Sequence, residues 1–190
     1  ASLRGEMRRE IRALRRRHGI TTLFVTHDQE EALSLSDRVV VMEKGRVIED
    51  ATPGELSESP RRLFSARFLG ARTVLAGTVD RGVFLAGALS AALPPNASTQ
   101  ATHIVLRAAR LRWSRENASD LGLDAHGRVT DVSYLGDAWD IHVDIGDADI
   151  RILRPSSEAP PAPGEDIHLG ATPGALGFLT ESTPHTGELP

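Results

Sequence analysis

Thr22-Leu23-Phe24-Val25-Thr26-His27-Asp28-Gln29-Glu30-Glu31-Ala32 is the stretch on which the fold of this chain turns. Its opening residues are apolar or β-branched, and a short run of that kind reads as a buried strand over 21–26. The run ends on His27, and a helix begins one residue later. Asp28 stands where a helix cap is needed, and Glu31 three residues on completes a capping box. This order places an imidazole at the carboxyl end of a strand, where open α/β sheets hold their ligands. Upstream, Leu3, Met7, Ile11 and Leu14 form one apolar stripe, so 2–18 reads as an amphipathic helix. Gly19 follows it at the position of a left-handed cap. Helix, tight turn, strand, helix is the grammar of an α/β layer.

Downstream, Ser36-Asp37-Arg38 leads into an apolar strand over 38–42. Glu43-Lys44-Gly45-Arg46 is a turn, and 46–49 pairs back as a hairpin. Thr52-Pro53-Gly54-Glu55 opens a helix with a cap, Pro at the first position and an acid at the third. Ser59-Pro60 opens another, with Phe64 and Phe68 on one face and Gly70 at its end. After Gly70 the period changes from helical to alternating. Residues 73–79 and 82–85 read as a hairpin, 86–102 as a loop, and 103–107, 128–134, 139–145, 148–153, 166–169 and 174–179 as strands. Gly146-Asp147 suits a two-residue turn between two of them. Gly77-Thr78-Val79 and Gly127-Arg128-Val129 read as openings of equivalent strands. Many short strands with frequent turns indicate a small barrel.

The bulk composition excludes several classes. The 190 residues suit one or two domains, and the net charge of −4 gives no general attraction to nucleic acid or anionic membrane. There is no cysteine, hence no disulfide, thiolate metal site or cysteine nucleophile. No apolar run approaches the ~20 residues that span a bilayer, so direct membrane insertion by a helix is not expected.

The ordered set of motifs resembles the C-terminal part of importer-type ABC ATP-binding subunits. Ala1-Ser2-Leu3-Arg4 is similar to the residues that follow the family's D-loop aspartate. Thr26-His27-Asp28 with Glu30-Glu31-Ala32 resembles its switch-histidine segment. Ser36-Asp37-Arg38 and Met42-Glu43-Lys44-Gly45-Arg46-Val47 resemble the strand and hairpin that close the nucleotide domain. Thr52-Pro53-Gly54-Glu55-Leu56 and Pro60, Phe64, Ala66, Phe68, Leu69 and Gly70 resemble its exit helices. The remainder is similar to TOBE-type regulatory domains, through 104–107 and through Gly127-Arg128-Val129 to Tyr134-Leu135-Gly136. Arg107-Ala108-Ala109 stands where that family has Arg-Pro-Glu, so only Arg107 carries over.

The resemblance sets the expected organisation. Residues 1–50 would be the C-terminal fragment of an ABC ATPase domain, 51–70 connecting helices, 71–180 an OB-like TOBE-type barrel and 181–190 a disordered tail. The fold class is therefore an α/β fragment followed by a small all-β OB-like barrel. His27 would reach the γ-phosphate in the intact protein, where ATP and Mg are the cofactors. This chain holds no glycine-rich phosphate loop, no Asp-Glu pair ending an apolar strand and no Leu-Ser-Gly-Gly-Gln signature. On this reading it is a truncated piece, with no nucleotide bound and no ATP hydrolysis of its own. The implied partners are transmembrane permease subunits and a second copy of the chain, with no nucleic acid. The implied place is the cytoplasm, peripheral on the inner face of the plasma membrane. The cargo pattern points to ferric iron or polyamine, with sugars next. A second class of function is a non-enzymatic, ligand-sensing or dimerising barrel. The apolar faces of 1–50 would lack the rest of their sheet, so this part is expected to pair with a second copy or to be disordered.

Other candidate groups have plainer readings. Asp28 and Glu31 read as capping residues. Arg4, Arg8, Arg9, Arg12, Arg15, Arg16 and Arg17 lack interleaved aromatics and read as a solvated helix face, with Glu6 and Glu10 as i+3 or i+4 partners. His103, His126, His142 and His168 lack the close spacing of metal-ligand pairs, so no metal site is expected. Trp113, Tyr134 and Trp139 read as packing anchors. Asp137, Asp140, Asp144, Asp147 and Asp149 read as a solvated strand edge.

Overall fold

A computed structural model describes residues 3–69, 73–95, 97–116, 122–171 and 175–181, and the expected tail at 182–190 lies outside them. The chain divides into two compact units, Ala1–Leu69 and Gly70–Pro190.

The first unit begins with α1 (Leu3–His18), whose end is a glycine cap: Gly19 has φ +61° and its N–H donates to the Arg15 carbonyl. Helix α2 spans Gln29–Leu35. Arg8 Nη1 donates to Glu30 Oε2 at 2.8 Å, Arg12 to the Ser34 carbonyl, and Arg15 Nη2 to Asp37 Oδ1 at 2.9 Å. Partners that ascend together along both segments mean that α1 and α2 run parallel. Three of the seven arginines thus hold one helix to the next instead of remaining solvated.

Between the two helices lies the main departure from the sequence reading. Residues 20–26 form no strand and carry no regular secondary structure. Leu23 is 91% exposed and Val25 89%. The reason is the ladder: a strand needs neighbouring backbone, and no described segment of the first unit offers an edge to this one.

A hairpin follows, β1 (Val39–Glu43) with β2 (Arg46–Ala51). Lys44 and Gly45 have φ of 50° and 78°, the two left-handed positions that a two-residue hairpin turn requires. Helix α3 (Pro53–Glu58) carries the complete expected capping box: Glu55 N–H donates to Thr52 Oγ1 at 3.3 Å, and Thr52 N–H donates to Glu55 Oε2 at 2.9 Å. Helix α4 spans Leu63–Phe68, three residues later than Pro60 suggested. Residues 59–62 are instead held by Glu49, whose carboxylate accepts from the Arg61 N–H at 2.8 Å. Phe64 and Phe68 do share a face, stacked at 6.3 Å. The buried apolar core of this unit is small: Val39, Val41, Ala51 and Leu56.

The second unit is all-β. Its strands are β3 (Thr73–Ala76), β4 (Thr78–Asp80), β5 (Val83–Ala86), β6 (Leu89–Ala92), β7 (His103–Leu106), β8 (Leu111–Ser114), β9 (Leu123–Tyr134), β10 (Ala138–Asp144), β11 (Asp149–Pro155), β12 (Asp166–Ala171) and β13 (Leu176–Leu179). One sheet runs β11-β10-β9-β6-β5-β4, with β12 pairing both β9 and β8, and a three-stranded sheet runs β13-β7-β3. The strands β8, β12, β9, β10 and β11 make an open OB-like barrel. Among the described residues no backbone ladder joins its ends; Arg154 Nη1 of β11 reaches across to the carbonyl of Leu111 in β8 at 3.3 Å.

Several strand boundaries change here. The expected hairpin of 73–79 with 82–85 splits, because 73–76 pairs with β7 and only 78–80 pairs with 83–85. The expected loop 86–102 contains β6, recruited as an edge for β9 through Ser90 and Ala91. Strand β8 had no pattern of its own and exists through its ladder to β12. The glycines Gly77 and Gly127 do not open equivalent strands: Gly77 stands just before β4, whereas Gly127 lies inside β9, which begins at Leu123 instead of 128. Both nonetheless sit close against neighbouring backbone. A Cβ would lie 2.2 Å from the Leu85 carbonyl oxygen at the first and 2.5 Å from that of Asp144 at the second. The core is continuous, with Phe84, Leu89, Ile104, Leu106, Leu111, Ile141, Ile150, Ile152, Ile167 and Leu169 fully buried.

Candidate functional site

The site begins with a hydrogen-bond network at the start of α2. Asp28 is the cap: its Oδ1 accepts from the Glu31 N–H at 3.1 Å. The expected reciprocal bond does not form. Thr26 Oγ1 donates to Glu31 Oε2 at 2.7 Å and accepts the Asp28 N–H at 3.0 Å, so a threonine hydroxyl takes the place of the return bond. Asp28 also faces Arg8 at 3.8 Å. These groups are committed to the helix start. His27, held between Thr26 and Asp28, is exposed and makes no hydrogen bond or ion pair with the described residues.

An open cleft of about 610 Å³ lies beside it. Residues 22–27 line one side and Val39–Met42 the other, with Leu35 and Phe68 also lining it. An irregular segment and a strand, joined by a helix, thus face a shared gap. Its side chains are mostly apolar, and the cations near it are engaged: Arg15 with Asp37, and Arg38 with Asp50 at 3.0 Å. The described residues give a nucleotide one free imidazole and no cradle of backbone N–H groups or uncommitted cations. They do not fit ATP by themselves.

The other candidates fall to structural work. Asp140 accepts a bidentate pair from Arg151 at 2.7 and 2.8 Å, and this carboxylate raises the Arg151 pKa above its ordinary value. Asp149 holds His142 Nδ1 at 2.7 Å, and Asp144 accepts the Gly146 N–H at 2.8 Å. Trp139 packs on the core with Tyr134 tilted against it at 4.9 Å, while the Arg115 guanidinium lies 5.2 Å over Trp113. Arg107 caps a single 3₁₀ turn, its carbonyl accepting from the N–H groups of Arg110 and Leu111. Among the described residues no three His, Asp or Glu side chains converge as a metal site. No described helix is long and apolar enough to cross a membrane. One juxtaposition was not visible in the sequence: His126 and His168 are direct partners across β9 and β12. Only strand register could reveal it.

Comparison with known proteins defines first the class and then its relatives. The TOBE domain family matches residues 104–179. The chain is 56% identical over 77 residues to the spermidine/putrescine import ATP-binding protein PotA of Haemophilus ducreyi, covering 40% of this chain and 21% of that protein. It is 53% identical over 77 residues to PotA of Escherichia coli K12, covering 40% and 20%, and 52% identical over 80 residues to that of Vibrio cholerae, covering 42% and 21%. The chain therefore spans about a fifth of the length of the curated relatives it matches. The molybdate-bound cytoplasmic protein ModG superposes with a TM-score of 0.45 at 17% identity, covering 56% of this chain and 94% of ModG. The chain is related to the C-terminal region of importer-type ABC ATP-binding subunits, and its TOBE-type domain is an OB-like β structure.

Proposed function

We propose that this chain works as part of the energy-coupling, ATP-binding subunit of an ABC importer, with a polyamine as the cargo. The observation that carries the reading is the bare flank of the first unit. A helix-bound segment with Leu23 and Val25 exposed faces β1 across an open cleft, with His27 free at its side. In the whole subunit a further strand fills that gap, and the ligand site forms at the carboxyl ends of the strands. His27 is then the polar contact to the terminal phosphate of Mg-bound ATP, in a chemistry governed by positioning and electrostatics. The subunit pairs with a second copy and docks on transmembrane permease subunits, which hold it at the inner face of the plasma membrane. The polyamine assignment is supported by the identity to spermidine/putrescine import ATP-binding proteins.

The test uses the complete subunit with its permease in vesicles. His27→Ala is expected to cost at least about tenfold in ATP turnover, and uptake is expected for spermidine over ferric citrate and maltose. Full turnover in the variant removes the role of His27, and preferential uptake of iron or sugar removes the polyamine. Saturable binding of one of these solutes to the second unit would favour a sensing barrel.

A further inference from the structure

We infer that His126 and His168 form a two-imidazole binding site for a first-row divalent transition metal, with Cu²⁺ bound more tightly than Ni²⁺ or Zn²⁺. The two residues sit directly opposite each other in the antiparallel ladder of β9 and β12, two positions from the Arg128–Asp166 partners. Directly opposed residues share one face of the sheet, with Cβ atoms about 4.5–5.5 Å apart. That face is the outer one, since Ala125, Gly127, Ile167 and Leu169 are buried between and beside them. The ring centroids are 4.9 Å apart and the planes are inclined by 56°. The rings are therefore not flatly stacked, and two ring nitrogens can be turned toward one point. Two imidazoles fixed on adjacent strands lose little conformational freedom on chelation.

The second observation is an uncommitted nitrogen. His168 Nδ1 is buried and has no hydrogen-bond partner. Leaving such an atom unpaired is unfavourable, and here it lies in a ring packed against a second imidazole. Two other histidines of this unit are spoken for: His103 Nδ1 lies 3.0 Å from the Thr102 hydroxyl, and His142 Nδ1 is held by Asp149. Beside the pair, Arg128 donates to Asp166 through two bonds of 3.1 and 2.9 Å, in keeping with the register of the β9–β12 ladder that brings the imidazoles together. No third protein ligand converges among the described residues, so water completes the coordination. Imidazole ligands suit copper, nickel and zinc, and for a given donor set Cu²⁺ binds most strongly. A bound ion would tie together two strands far apart in the chain.

The test is calorimetric titration of the 190-residue chain with CuCl₂, NiCl₂ and ZnCl₂, paired with thermal unfolding. One ion per chain is expected at micromolar affinity for Cu²⁺, with a rise in melting temperature. H126Q and H168Q are each expected to weaken binding at least tenfold, and the double variant to be little worse than either, because a chelate fails when one arm is removed. H142Q is expected to bind as the unaltered chain does. Copper spectroscopy on the unaltered chain keeps the inference testable if a variant misfolds: the paramagnetic signal must show two nitrogen ligands. Absence of saturable binding, binding that survives in folded H126Q and H168Q, or a signal without two nitrogens would each overturn the site.

Discussion

Residues 21–26 and 139–145 carry similar instructions and meet opposite fates. Both are short and rich in β-branched residues, the first as an apolar run and the second as an apolar–polar alternation, and both read as strands. In the second, Ile141 and Val143 are fully buried between β9 and β11. In the first, Leu23 and Val25 are almost wholly exposed and no ladder forms. The difference is supply of partners. Strand β10 has a hairpin neighbour on each side, reached through short turns, and its apolar face closes on a core shared by the whole unit. Residues 21–26 have helices at both ends and a gap alongside. A strand is a property of a sheet, so a segment with strand-forming residues does not become one without a neighbour.

The largest way to probe this contrast is to truncate one apolar side chain in each segment. Ile141→Ala is expected to destabilise the second unit by about 2–5 kcal/mol, by lost transfer energy and a residual cavity. Leu23→Ala should change stability by no more than about 0.5 kcal/mol, as for other exposed positions. Both tryptophans, Trp113 and Trp139, lie in the second unit, so their fluorescence in urea follows Ile141→Ala, while helical ellipticity, carried by the four α-helices of the first unit, follows Leu23→Ala. A comparable loss in the two variants would mean that 21–26 has found a partner.

Gly127→Ala sharpens the point within the barrel. The new Cβ would sit 2.5 Å from the Asp144 carbonyl oxygen, against backbone that cannot turn aside. A cost of about 1–3 kcal/mol is expected, the usual range for overpacking. Gly45, where a Cβ meets nothing, would instead pay for its φ of 78° through the turn.

Thr52→Ala examines the first unit where it is well made. Losing the cap should cost about 1 kcal/mol, read as reduced helical ellipticity and a lower melting temperature for that unit. Thr52→Ser should retain most of it.

The smallest effect is acid sensitivity. The Arg128 guanidinium holds the Asp166 carboxyl below its ordinary value, and Arg154 does the same for Glu158. The Ala162 N–H, followed by Arg115, lowers Glu165. In the first unit the Thr52 N–H and hydroxyl lower Glu55. A carboxyl depressed by folding stabilises the folded state above its unfolded value and ceases to do so as pH falls through the folded one. Both units should therefore hold constant stability down to the ordinary carboxylate range and weaken below it. All four groups are exposed enough for solvent to screen them, so the change is small and should shrink further in salt. A loss of stability already at pH 6 would contradict these assignments.

Much of the molecule was legible because its signals are local. The glycine cap at Gly19, the Thr52–Glu55 box, the Lys44-Gly45 turn and the alternation of Ile141, Val143 and Ile145 each act within a few residues. The exposed His27 after an apolar run was equally readable, since Asp28 takes the cap and leaves the imidazole alone. The misread parts depended on distant chain. Strand β6 lies in an Ala- and Ser-containing stretch that pairs only because β9 presents an edge. Residues 73–76 leave their predicted hairpin for β7. Thr26 takes the place of the Glu31 return bond, its hydroxyl lying between the Asp28 N–H and the Glu31 carboxylate.

The order of amino acids by itself determined the helices, caps and turns, the change of period after Gly70 and the kinship to import ATP-binding subunits, since all of these rest on neighbouring residues or on motif order. Tertiary structure alone decided which strands found ladders, which arginines became ties and which two of the histidines came face to face. Backbone hydrogen bonds and cross-strand contacts join positions that the chain keeps far apart, and their energy is realised only once register is set.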